Sequence, residues 1–179
     1  MRGIMPSGSR QLLLPANPLF IWVSLFIALC FNMVISSWFW GRSSWLPDFL
    51  LVILLFWNIH QPQRIGLNTS FFFGLIMDVQ SVSLLGQHAL SYTLLSFLAI
   101  ATHRRILWFK TATQSLQLLP LFVLAHLTQG ILRYFFSNST PDWFVLIAPI
   151  LDALLWPVVT LFLLMPQRRS PDPDATRPL

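Results

Sequence analysis

Long apolar runs alternate along the chain with short segments that contain nearly all of its charged residues. A run of about 20 apolar residues is long enough for a helix to cross the hydrocarbon core of a membrane. The pattern predicts an all-α integral membrane protein with six transmembrane helices. The predicted spans cover residues 19–38, 45–59, 66–79, 86–102, 115–136 and 143–165.

These spans leave little of the chain outside the membrane. We expect one six-helix transmembrane domain at residues 19–165, after an N-terminal segment at 1–18 and before a disordered, Pro-rich and polar tail at 166–179. No small-residue cleavage site follows the first run, which predicts a retained helix and not a signal peptide. The second and third runs are both short, and the second predicts a helix that is thinly covered or distorted.

Composition agrees with this interpretation, since 55% of the 179 residues are hydrophobic and only 9% are charged. A soluble fold could not bury so much apolar surface. The net charge of +5 could suggest nucleic-acid binding, but the cations are scattered through the predicted loops, where they report orientation.

The distribution of cations predicts that both termini are cytoplasmic. With the N-terminus inside, the outer segments contain only Arg42 and Arg133. The inner segments contain the other nine cations, namely Arg2, Arg10, Arg64, Arg104, Arg105, Lys110, Arg168, Arg169 and Arg177. This excess is the positive-inside pattern of membrane proteins.

One of the predicted cytoplasmic segments, His103–Lys110, mixes cations with large apolar residues (HRRILWFK). Such a segment can lie in the membrane interface, with its cations near anionic headgroups and its aromatic residues at headgroup depth. The alternative is an ordinary basic loop with aromatic-belt residues.

Small and polar residues recur within the runs at helical spacing. Such stripes are suited to close contact between helices, which is a more common role for them than a binding site. They include Ser24, Ala28, Asn32 and Ser36 in the first run; Ser70, Gly74 and Asp78 in the third; His88, Ser91, Tyr92 and Ser96 in the fourth; and His126, Gln129, Gly130 and Arg133 in the fifth.

The ionisable residues of the runs define a candidate polar cluster. With the N-terminus inside, Asp152 falls near the middle of the membrane, whereas the outer third contains Asp48, Asp78, His88, Arg133 and Asp142. Because an unpaired charge in lipid is costly, we expect Arg133 to pair with Asp78 or Asp152.

The motifs of common enzyme and cofactor sites are missing from the sequence. There is no Gly-x-Ser-x-Gly or His-Glu-x-x-His motif, and the chain contains no glutamate. The four histidines are not spaced as metal ligands, and the single cysteine excludes an internal disulfide. The sequence therefore predicts a protein that is not an enzyme and that has no metal or cofactor.

Several short motifs, in order, resemble the bacterial MreD family of rod shape-determining proteins. They run from Leu46-Pro47-Asp48-Phe49 to Trp57 and Pro62-x-Arg64, then to Gly74-Leu75-x-x-Asp78 and Leu85-Gly86-x-x-Ala89-Leu90, and end with Leu155-Trp156-Pro157. The resemblance covers about residues 19–165. Candidate partner-binding or structural residues are Pro47, Asp48, Trp57, Pro62, Arg64, Gly74, Asp78 and Gly86, which match the motifs, and Arg133 and Asp152, which come from the polar cluster.

This resemblance implies a non-enzymatic scaffold of the cell-elongation complex in the bacterial inner membrane. Its implied partner is MreC, a membrane-anchored periplasmic protein, through which the family helps couple the actin-like MreB filament to peptidoglycan synthases and so maintain rod shape. The implied fold is similar to the six-helix substrate-binding subunits of energy-coupling-factor transporters.

The transporter-like fold supplies an alternative function, a substrate-binding membrane subunit of a vitamin-type transporter. Such a subunit would need an Ala-x-x-x-Ala docking motif in its first helix and a long polar outer loop. The chain has only Ser24-x-x-x-Ala28 and short outer loops, which favours the scaffold. The sequence leaves open which surface binds a partner and whether the polar cluster encloses a ligand.

Overall fold

A computed structural model describes residues 17–38, 46–81, 84–137 and 146–167. These residues form six α-helices, so the prediction of six helices is confirmed, and each boundary lies within four residues of the expected one. The helices are α1 (Pro18–Trp38), α2 (Phe49–His60), α3 (Leu67–Gln80), α4 (Gln87–Ile106), α5 (Thr111–Ser137) and α6 (Ile147–Leu164), followed by a 3₁₀ turn at Met165–Gln167.

Some of the sequence-based predictions concern residues outside these ranges. They include almost all of the N-terminal segment 1–18, most of the tail 166–179, and six of the eleven cations, namely Arg2, Arg10, Arg42, Arg168, Arg169 and Arg177. The orientation derived from these cations stays a prediction.

The short helix α2 lies at the centre of the fold, where it packs against α1, α4 and α6. Its sequence is apolar on every side, as expected for a helix without a solvent-facing surface. Leu50, Leu51, Leu55, Phe56 and Trp57 have no measurable exposure. The prediction of a thinly covered α2 is therefore wrong: α2 can be short because its neighbours, and not lipid or water, surround it.

The remaining helices pack in close pairs. Helix α3 packs mainly against α4, and α5 packs against both α4 and α6. The stripe on α1 faces inward, since Ser24, Ala28 and Asn32 are all buried. Trp57 of α2 donates a hydrogen bond from its Nε1 to Ser24 Oγ over 2.8 Å, which joins the two helices inside the core.

The outer surface of the described helices is strongly apolar. Phe26 and Ile27 on α1, Phe72 on α3, Phe135 on α5 and Phe162 on α6 are all more than 60% exposed. By length and composition, α1, α5 and the segment Ile147–Gln167 could each cross a membrane. An apolar exterior of this extent is typical of a protein whose surroundings are lipid.

Candidate functional site

Five polar side chains from five helices, two of them aspartates, form one buried hydrogen-bonded group. We call this group the Asp48–Asp152 network; it consists of Asn32 of α1, Asp48 at the start of α2, Tyr92 of α4, His126 of α5 and Asp152 of α6. The relative exposure of these side chains ranges from 0% to 8%.

Asp48 forms the N-cap of α2. Its Oδ1 accepts hydrogen bonds from the backbone N–H of Leu51 at 3.1 Å and from Asn32 Nδ2 at 2.8 Å. Its Oδ2 accepts a hydrogen bond from the Tyr92 hydroxyl. Aspartate is a favoured N-cap residue because its carboxylate satisfies N–H groups that lack a partner within the helix. This aspartate also connects the start of α2 to α1 and α4.

Asp152 is fully buried and bridges α2 and α5. Its Oδ1 accepts a hydrogen bond from the backbone N–H of Asp48 at 2.8 Å, and its Oδ2 lies within hydrogen-bonding distance, 2.7 Å, of His126 Nε2. The contact with Asp48 places Asp152 level with the start of α2. The prediction that Asp152 lies at a different depth from Asp48 is therefore wrong.

Two of the three described carboxylates in the sequence-predicted cluster contact histidines. Asp152 pairs with His126 and Asp78 pairs with His88, whereas Arg133 is exposed on α5 and takes part in neither pair. Asp152 contacts Asp48 and His126, so the predicted pairing of Arg133 with Asp152 is wrong, whereas its predicted pairing with Asp78 stays a prediction. A shorter, partly apolar imidazole fits a buried site where a guanidinium would be expensive to desolvate.

A second carboxylate site joins α3 to α4. Asp78 Oδ2 accepts the backbone N–H of Gly86 at 2.8 Å and that of Ala89 at 3.3 Å. Its Oδ1 lies 2.8 Å from both the backbone nitrogen and Nδ1 of His88. The anionic side chain therefore lies at the positive end of the α4 dipole. Gly86 has a φ of +102°, a conformation that glycine adopts without strain.

One turn before Asp78, Gly74 lies directly against the backbone of α4. A Cβ atom at this position would be 2.4 Å from Ala89 Cα, 2.6 Å from Ala89 N and 2.8 Å from the carbonyl carbon of His88. Real side chains do not approach backbone atoms so closely. The predicted role of Gly74 in close helix approach is confirmed by this geometry.

A third polar group links α2, α3 and α4 further along the core. Asn58 Nδ2 donates to Ser96 Oγ at 2.9 Å and lies 3.3 Å from Ser70 Oγ, and the two serine oxygens are 2.6 Å apart. All three residues are buried. Hydrogen bonds between helices of this kind stabilise packing where no water is present.

Pro62 and Arg64 lie in the turn between α2 and α3. The backbone N–H of Arg64 donates to the Gln61 carbonyl at 3.0 Å, which closes a turn with Pro62 at its second position, where proline is favoured. The Arg64 side chain is exposed. This turn is at the far end of α2 from Asp48, so it forms no common site with the carboxylates.

The structure therefore divides the sequence-predicted candidates among several places. Asp48 and Asp152 belong to one network, with Pro47 directly before Asp48 in the chain, and Gly74, Asp78 and Gly86 belong to the α3–α4 contact. The other candidates, Trp57, Pro62, Arg64 and Arg133, lie elsewhere. The candidate residues and the predicted polar cluster did not include Asn32, Tyr92 and His126. The signal in the sequence that could have identified them is that each belongs to a stripe of small and polar residues at helical spacing.

The chemistry of the Asp48–Asp152 network indicates a structural role, in which it holds helices together. All four carboxylate oxygens of Asp48 and Asp152 accept hydrogen bonds from within the protein, so no oxygen needs an external donor. Among the described residues, no group of three or more His, Cys, Asp or Glu side chains could hold a metal ion. The arrangement fixes five helices relative to one another.

Comparison with known proteins gives matches over most of the chain. The family described as rod shape-determining protein MreD matches residues 15–165. The chain is similar to a protein of Haemophilus influenzae named rod shape-determining protein MreD, with 29% identity over 145 residues that cover 78% of this chain and 85% of the relative. No solved structure matches.

Proposed function

The chain belongs to the MreD family of rod shape-determining proteins, and from that premise we propose that it is a non-enzymatic scaffold of the cell-elongation complex in the bacterial inner membrane. Family membership indicates a role in determining rod shape. The finer proposal is that the protein binds MreC and helps couple the MreB filament to the peptidoglycan synthases.

Membrane insertion is proposed for all six helices, as one domain over residues 19–165 with both termini in the cytoplasm. The apolar exterior supports insertion, as does the length of the three candidate spans. Helix α2 is too short to span about 30 Å of hydrocarbon by itself. Its central position explains how it can belong to the domain, because α1, α4 and α6 separate it from lipid.

The satisfied Asp48–Asp152 network is the observation that favours a scaffold. Its buried polar groups bond to one another and hold the helices in one arrangement, so a partner would recognise the outer helix faces and the loops. A rigid bundle with an apolar exterior is suited to contact the membrane helix of a partner such as MreC. Binding between helices in lipid depends on this kind of surface packing.

The alternative, a substrate-binding subunit of a vitamin-type transporter, is less well supported. The loosely similar docking motif Ser24-x-x-x-Ala28 faces α2, and both residues are buried. Ser24 Oγ is also engaged by Trp57. The motif is therefore occupied within the bundle and could not dock a second membrane subunit.

Depletion and rescue in a rod-shaped host test the proposed function. We expect cells depleted of the protein to become round and the full chain to restore rods, since the scaffold organises side-wall synthesis. MreC should co-purify with the tagged protein after mild solubilisation. Unchanged rods on depletion, or an ATPase subunit in place of MreC in the eluate, would contradict the proposal.

The orientation can be tested separately by cysteine labelling. Cys30 is the only cysteine, so a Cys30→Ser background carrying Lys110→Cys has a single thiol between α4 and α5. With cytoplasmic termini, a membrane-impermeant maleimide should label this thiol only after the inner membrane is permeabilised. An Arg133→Cys variant in the same background should be labelled in intact spheroplasts, and the reverse pattern would refute the orientation.

A further inference from the structure

We propose that the connection between α4 and α5 is a binding site for anionic phospholipid. The site consists of Arg104, Arg105, Trp108 and Lys110. This inference rests on the membrane orientation proposed above and adds a ligand class to it, an anionic glycerophospholipid of the inner leaflet.

The connection exposes three large apolar residues in succession. Leu107 and Phe109 are each 42% exposed, and Trp108 is 89% exposed, whereas Ile106 before them is buried. Three consecutive exposed apolar residues are unfavourable in a loop that faces water. They are expected where the loop lies at headgroup depth, because tryptophan and leucine side chains partition into that boundary.

The charges around these apolar residues have one sign. Arg104, Arg105 and Lys110 are all exposed. The acidic residues in the described part of the chain are Asp48, Asp78 and Asp152, and each is buried in the contacts given above. No carboxylate of the described residues therefore neutralises these three cations, which makes lipid phosphates their complementary partner.

The connection is also held in a fixed conformation. The backbone N–H groups of Leu107, Trp108 and Phe109 donate to the carbonyls of His103, Arg105 and Ile106 at 3.1, 3.4 and 3.2 Å. Gln114 Nε2 donates to the Phe109 carbonyl at 3.0 Å, and Gln114 Oε1 accepts from Trp156 Nε1 at 3.2 Å. The core residue Trp156 thus anchors the loop, so less ordering entropy is lost when a headgroup binds.

Fluorescence quenching in vesicles tests the site directly. The full-length protein is reconstituted in phosphatidylcholine that contains the same minor fraction of either brominated phosphatidylglycerol or brominated phosphatidylcholine. The difference in quenching between the wild type and Trp108→Phe isolates Trp108 from the other seven tryptophans. We expect stronger quenching of Trp108 by the anionic lipid, because each basic residue near an anionic surface strengthens binding to that surface by roughly fivefold.

The triple variant R104Q/R105Q/K110Q should lose this preference, so that the two brominated lipids quench Trp108 equally. Arg133→Gln removes one exposed cation from the far end of α5 and should keep the preference. Equal quenching in the wild type, no quenching of Trp108 by either lipid, or an unchanged preference in the triple variant would overturn the site. If one of those results is found and the protein still restores rod shape, the lipid site is wrong and the scaffold function stands. If rescue fails and the lipid preference is intact, the scaffold function is wrong and the lipid site stands.

Discussion

Replacing Gly74 with alanine is expected to lower the free energy of unfolding by about 1–3 kcal/mol. The added Cβ would be 2.4 Å from Ala89 Cα and 2.6 Å from Ala89 N. These are backbone atoms of the first turn of α4, so no rotamer change can relieve the contact, and α3 must move away from α4. That movement would also draw Asp78 away from the N–H groups of Gly86 and Ala89 that it caps.

Gly66 supplies the matched control for this experiment. A Cβ atom at Gly66 would meet nothing within 4 Å, and its φ of −108° suits an alanine. Gly66→Ala should therefore cost about 0.5 kcal/mol or less, from a slightly poorer N-cap. Denaturant titration of the purified variants, together with their abundance in membranes, measures both effects.

The identity of the contacting atoms allows a sharper test. Because the clash involves the backbone of Ala89 and not its side chain, Ala89→Gly should fail to rescue Gly74→Ala. Full recovery in that double variant, or equal stability of Gly74→Ala and Gly66→Ala, would show that α3 and α4 are not packed as described.

The second large effect is expected at Asp152, where alanine should destabilise the protein by about 3–5 kcal/mol. The substitution leaves the backbone N–H of Asp48 and the ring of His126 without their acceptor in a site that has no exposure. The start of α2 then loses its connection to α6 and α5. Thermal or denaturant unfolding in detergent, followed by circular dichroism, gives the measurement.

Asp152→Asn separates the effect of the hydrogen bonds made by this side chain from the effect of its charge. An asparagine keeps a carbonyl oxygen for the Asp48 N–H and presents an amide to His126, so it should retain most of the stability that alanine loses. A double-mutant cycle between Asp152→Ala and His126→Ala should show strong coupling, because the two side chains form one contact. Additive effects, or a wild-type stability for Asp152→Ala, would contradict the bridging role.

The two carboxylate sites differ in how far the sequence predicted them. Asp78 and Gly74 fall one turn apart on a stripe of small and polar residues, and this spacing alone predicted a close helix contact. The partner of Asp78 was not predictable, because His88 and the N–H groups of α4 come together only through the fold of the α3–α4 connection. The pairing of Asp48 with Asp152 spans 104 residues, and no local pattern reports a contact of that separation.

The sequence by itself determined the six helices, the inward face of α1 and the family to which the chain belongs. Hydrophobic periodicity and apolar run length are local properties of a chain, and they fix which segments become helices and which of their faces avoid lipid. Only the tertiary structure decided that the short helix α2 is central, that His126 contacts Asp152 and His88 contacts Asp78, and that Asp48 and Asp152 lie at one level. Those outcomes depend on which distant helices pack against one another. A buried carboxylate needs a hydrogen-bonding partner close to it in space, and that partner can be far away in the sequence.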